Sequence, residues 1–91
     1  METKTFQMTL KAGLYAKWAK LLVEKAMEYQ SMMTITVMDK CIDMKSIMGV
    51  LSLGICKNME IKITADGKDE REAIQGITQR LLDLKFGIEK K

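Results

Sequence analysis

Two hydrophobic rhythms alternate along this chain, and their order leaves few ways to fold it. From Thr5 to Leu10 apolar residues fall at every second position, with Phe6, Met8 and Leu10 on one side and Thr5, Gln7 and Thr9 on the other. Successive side chains of a strand point to opposite faces, so this pattern predicts a strand with one buried face. After Gly13 the spacing lengthens. Tyr15, Trp18, Ala19, Leu22, Val23 and Ala26 share one helical face, while Lys17, Lys20, Glu24 and Glu28 occupy the other. That is an amphipathic helix with a stripe to bury. Alternation returns from Thr34 to Met38, with Ile35 and Val37 together, and Asp39-Lys40 turns the chain into a short strand from Cys41 to Met44.

The second half repeats the theme. Ser46 suits a helix N-cap and Gly54 the position just past a helix end, which predicts a short helix between them. From Glu60 to Ala65 the chain alternates again, with Ile61, Ile63 and Ala65 inward. Asp66-Gly67 turns it, and Asp69 with Glu72 three residues on resembles a capping box opening a last helix, whose buried stripe is Ile74, Ile77, Leu81 and Leu84. The order is strand, helix, strand, strand, helix, strand, helix: an α+β open-faced sandwich, four strands covered on one face by three helices. The uncovered face is then polar, which agrees with Thr, Gln and Lys at the alternate strand positions.

With 91 residues, 47% of them apolar, the chain is expected to form a single domain over 1–91 with enough core to fold alone. The longest mostly apolar stretch, Ile47 to Ile55, is broken by Gly49, Ser52 and Gly54. It falls far short of the roughly 20 residues that cross a bilayer. The first five residues lack the apolar core of a signal peptide, so the expected location is the cytoplasm, with no membrane contact. Cys41 and Cys56 are isolated and read as reduced thiols. With no histidine in the chain, neither a metal site nor a cofactor is expected. The net charge of +3 is spread along the chain without an aromatic-studded basic stripe, so it suits acidic protein partners at least as well as nucleic acid, and direct nucleic-acid contact is not expected. No nucleophile–base pair, glycine-rich phosphate loop or paired carboxylates point to an enzyme.

Ser46 is the residue on which function is expected to turn. A serine at an N-cap need do no more than accept a backbone N–H, worth about 1 kcal/mol. Here it is followed by Ile47, Met48 and Leu51, more apolar surface than a short helix can bury beneath itself. An exposed cluster containing a methionine is a partner site by default. Gly49 removes a side chain there and leaves room for another backbone to approach.

The run Lys45-Ser46-Ile47-Met48-Gly49-Val50-Leu51-Ser52-Leu53-Gly54 resembles the regulatory-serine segment of the HPr proteins of the bacterial sugar phosphotransferase system. Ala65-Asp66-Gly67 before the last helix fits the same family, and the likeness runs through nearly the whole chain. It implies the HPr fold, an open-faced β-sandwich of four antiparallel strands and three helices. The family's other signature, G-[IL]-H-A-R-P-A, is altered to Gly13-Leu14-Tyr15-Ala16-Lys17-Trp18-Ala19. Tyr15 replaces the acceptor histidine, Lys17 the arginine and Trp18 the proline. A phenol offers no imidazole nitrogen, and a lysine loses the guanidinium fork that cradles phosphate.

That combination is similar to the histidine-lacking, Crh-like catabolite-repression branch of the family. The resemblance implies an ATP-dependent HPr serine kinase/phosphorylase acting on Ser46, and a LacI-type catabolite control repressor that binds the phosphoserine form. Ile47, Met48, Leu51 and Leu53 would form the docking patch, with Lys17, Tyr15 and Trp18 at its edge. It allows a monomer or a weak dimer. Tyr15 and Trp18 have two readings from their spacing: they cap the core, or they extend the partner surface. Two other functions stay open, a degenerate HPr paralogue and a small-molecule-sensing α+β module, neither of them phosphorylated.

Overall fold

The computed structural model describes residues 1–9 and 15–89. Its elements follow the two rhythms: β1 (Glu2–Met8), α1 (Tyr15–Ala26), β2 (Met32–Val37), β3 (Lys40–Asp43), α2 (Ile47–Ser52), β4 (Glu60–Asp66), α3 (Glu70–Asp83) and β5 (Gly87–Glu89). The strands form one antiparallel sheet in the order β3-β2-β4-β1-β5. This is the expected α+β open-faced sandwich, with one difference: the sheet has five strands rather than four. After α3, Lys85 takes a left-handed turn at φ 58° and Phe86 is buried, which brings Gly87, Ile88 and Glu89 beside Met8, Gln7 and Phe6. Three residues are too few to display a period. Leu10, expected to complete the buried face of the first strand, lies outside the described residues, as do Gly13 and Leu14.

One core joins sheet and helices. Phe6, Met8, Met33, Ile35, Val37, Ile61, Ile63 and Ala65 point from the strands toward Trp18, Leu22, Ala26, Val50, Ile77 and Leu81 of the helices. The opposite sheet face carries Thr34, Thr64 and Thr3 in one cross-strand row and Thr36, Lys62 and Thr5 in the next. The hydroxyls of Thr3 and Thr64 lie 3.2 Å apart across it. This polar face is what the alternation predicts.

The methionines divide between core and surface: Met8, Met33 and Met44 are buried, but Met1, Met27, Met32, Met38 and Met48 are exposed. One expectation about packing is corrected. Asp69 does hold the N-cap position of α3 but makes no side-chain cap bond, so no capping box forms with Glu72. Its carboxylate instead accepts from the backbone N–H groups of Gln30 and Ser31, at 2.8 and 2.9 Å, and from the Ser31 hydroxyl. These bonds hold the carboxyl below its usual range, led by the Ser31 hydroxyl. The pairing fastens the loop between α1 and β2 to the start of α3, which a reading of local pattern cannot foresee.

Candidate functional site

Ser46 sits where β3 hands over to α2. Its backbone is extended, φ −103° and ψ 110°, and its Oγ accepts from the Gly49 N–H at 3.1 Å. The Ser46 carbonyl accepts from the Val50 N–H at 2.9 Å and so opens the helix. The residue is half-buried, and the first turn of α2 holds no acidic group. Lys45, next in the chain, is committed elsewhere: its Nζ donates to the Tyr29 carbonyl at 2.7 Å. A hydroxyl at an N-cap thus lies against the backbone N–H groups of the first helical turn, with no carboxylate in the helix to repel an added anion.

The apolar residues after Ser46 divide. Met48 is 74% exposed and Ile47 38%, while Leu51 is half-buried against the core. Leu53 is only 8% exposed, so its expected place in a docking patch is corrected. It follows α2 as the C-cap residue, where its side chain joins the core cluster. Gly49 has a different role from the one expected. A Cβ there would meet the Ile42 Cγ2 at 2.5 Å, so the missing side chain makes room for a neighbour in β3. Gly54 ends the helix at φ 60°, the left-handed conformation that glycine adopts without penalty.

The altered stretch at the start of α1 packs against the far end of this helix. Tyr15 is half-buried and its hydroxyl donates to the Val50 carbonyl of α2. Burial pushes the phenol above its usual pKa, and the neighbouring N–H groups of Ile55 and Gly54 pull it partly back. The ring stacks on Trp18, with centroids 5.4 Å apart and planes 24° from parallel. Trp18 itself is 0% exposed, which corrects its placement at a partner surface. It shares the inward stripe with Ala19, Leu22, Val23 and Ala26, and helical spacing carries its indole inside. Lys17, one residue earlier, points outward and is exposed.

Elsewhere the chemistry is sparse. Among the described residues no three His, Cys, Asp or Glu groups are gathered to hold a metal, and no helix is long and apolar enough to cross a membrane. Cys41 and Cys56 are free and exposed. Thr36, Met38, Met59, Glu60 and Lys62 line an open groove of about 600 Å³.

A family model described as "PTS HPr component phosphorylation site" matches residues 2–82. The chain belongs to the HPr family. Solved HPr structures agree with that assignment. The histidine-containing phosphocarrier protein of Mycoplasma is 36% identical, with 93% of this chain and 97% of that chain covered and a TM-score of 0.89. HPr of Thermoanaerobacter tengcongensis is likewise 36% identical, covering 94% and 96% with a TM-score of 0.85. Crh, the catabolite repression protein of Bacillus subtilis, is 28% identical over 85% of this chain and 84% of that chain, with a TM-score of 0.69. HPr-family proteins are phosphocarriers, not enzymes, and they work with the proteins of the phosphotransferase system. A role tied to that system therefore comes with the family.

Proposed function

We propose that this chain is a regulatory HPr-family protein that carries no phosphohistidine and is switched instead by phosphorylation of Ser46. The observation behind this is the pairing of a half-buried N-cap hydroxyl with the exposed Met48 and Ile47 that follow it. The absence of histidine from the chain leaves serine as the family's remaining modification site. An HPr serine kinase/phosphorylase would transfer the γ-phosphoryl of ATP to Oγ, with ADP leaving and the hydroxyl proton passing to a base of the kinase.

The added group carries roughly two negative charges at pH 7 and brings three acceptor oxygens. Those oxygens can take over the Gly49 N–H that Oγ now accepts, so the fold need not change. What changes is the surface, which then offers a dianion beside apolar side chains. Arginine or lysine of a partner pairs with the first and an apolar pocket takes the second. A LacI-type catabolite control repressor is the partner this reading names, with Ile47, Met48 and the half-buried Leu51 as contacts and exposed Lys17 at the edge. Trp18 and Leu53 have no part in it, being buried.

The experiment is mass spectrometry after incubation with ATP and an active HPr serine kinase/phosphorylase, beside Ser46→Ala. One phosphate on the parent protein and none on the variant is the expected result. An unmodified parent protein beside a positive-control HPr would point to a binding module that works without phosphorylation.

A further inference from the structure

Tyr15 is tied to α2 rather than turned to solvent. At six residues α2 is too short to hold itself, since a helix of one or two turns gains few internal bonds for the order it requires. Its start is capped by Ser46, and the Ser52 hydroxyl donates to the Gly49 carbonyl at 2.6 Å. Its last turn depends on Val50. The Val50 carbonyl accepts from the Leu53 N–H at 3.2 Å and also from the Tyr15 hydroxyl, which reaches it from α1. Among the described residues no other side chain from outside 46–53 hydrogen-bonds to the backbone of α2. The tyrosine is itself held, because its ring lies on the fully buried Trp18.

We propose that the Tyr15 hydroxyl latches the last turn of α2 to α1, and so positions the Ser46–Met48 surface for the proteins that act on it. Tyr15 is on this view a positioning residue. The substitution that removed the phosphoryl acceptor also supplied a strut for the neighbouring helix. The positioning role rests on the Ser46 reading above, whereas the latch can be measured without it.

Tyr15→Phe is the variant of choice, because it keeps the ring and its stack and removes only the hydroxyl. Amide hydrogen exchange read by NMR measures the latch. Loss of one neutral hydrogen bond should speed exchange at the Val50 and Leu53 amides by roughly 2- to 12-fold. Amides of β4 and of Ala73 in α3 should be unchanged. Uniform acceleration, or none at Val50 and Leu53, overturns the latch. The same exchange data give the fraction of molecules whose α2 is ordered, and with the serine kinase KM for the variant should rise by the factor by which that fraction falls, at unchanged kcat. A fall in that fraction without the matching rise in KM overturns the positioning role. A parent protein that is not phosphorylated at all sinks the serine reading, and the proposal is then judged on the exchange pattern alone.

Discussion

Replacing Trp18 with phenylalanine should leave stability close to that of the parent protein, although Trp18 is the largest fully buried side chain. Two opposed effects set the size of the change. The smaller ring leaves about 40 Å³ unfilled, which at roughly 24 cal/mol per Å³ costs about 1 kcal/mol. Lost transfer of apolar surface adds about 1 kcal/mol. Against this, the indole Nε1 is buried without a hydrogen-bond partner among the described residues. Removing a buried, unsatisfied donor returns about 1–3 kcal/mol. The net change should therefore lie within about 1 kcal/mol of zero, whereas Trp18→Ala should cost about 3–5 kcal/mol. Urea unfolding followed by far-ultraviolet circular dichroism measures both, since each variant lacks the chain's sole tryptophan as a fluorescent probe. If the phenylalanine variant lost about 3 kcal/mol or more, the indole N–H would have to be satisfied in the folded protein, and the reasoning would fail.

Three further outcomes can be checked with the same unfolding assay. The Asp69 carboxyl is depressed in the folded protein, so its contribution is present above the unfolded pKa of about 3.9 and lost as pH falls through the folded value. Asp69→Asn should lower the urea midpoint at neutral pH and flatten the loss of stability below about pH 4. Gly49→Ala would drive a Cβ against Ile42 and should cost about 1–3 kcal/mol, with a smaller penalty for the same change in an Ile42→Ala background. Ser46→Ala removes the cap on the Gly49 N–H and should cost about 1 kcal/mol, so its failure to be phosphorylated must be read beside a folded control.

What the sequence discloses depends on the distance over which each signal acts. The strands around Phe6, Ile35 and Ile63 were legible because one buried face imposes alternation on neighbouring residues. The ends of α2 were legible too, since Ser46 and Gly54 act within a turn of their own positions. Asp69 misled because the residues that donate to its carboxylate, Gln30 and Ser31, belong to a distant loop, and their bonds replace the local cap that Asp69 and Glu72 suggest. Trp18 kept both readings open at the level of spacing, and only the fit of its indole into the core decided between them. The same limit applies to Tyr15, whose partner Val50 belongs to another helix. Exposed Met48 and Ile47 were recognisable because a short helix cannot cover so many apolar groups, whereas the inward turn of Leu53 depends on the packing behind it.

The sheet order bears on how the molecule comes to exist. Strand β1 is made first, yet it lies between β4 and β5, with Phe6 opposite Ile61 on one side and Glu89 on the other. During synthesis α1 and the β2–β3 hairpin have their partners close by in sequence and can form on the microsecond scale of local structure. Strand β1 has to wait for its first partner until β4 has emerged as far as Asp66, and for its second until Gly87–Glu89. Sheets closed by such distant pairings fold slowly and nearly all at once, over roughly milliseconds to seconds. The nascent protein is thus most open to misassociation before β4 arrives to pair with β1.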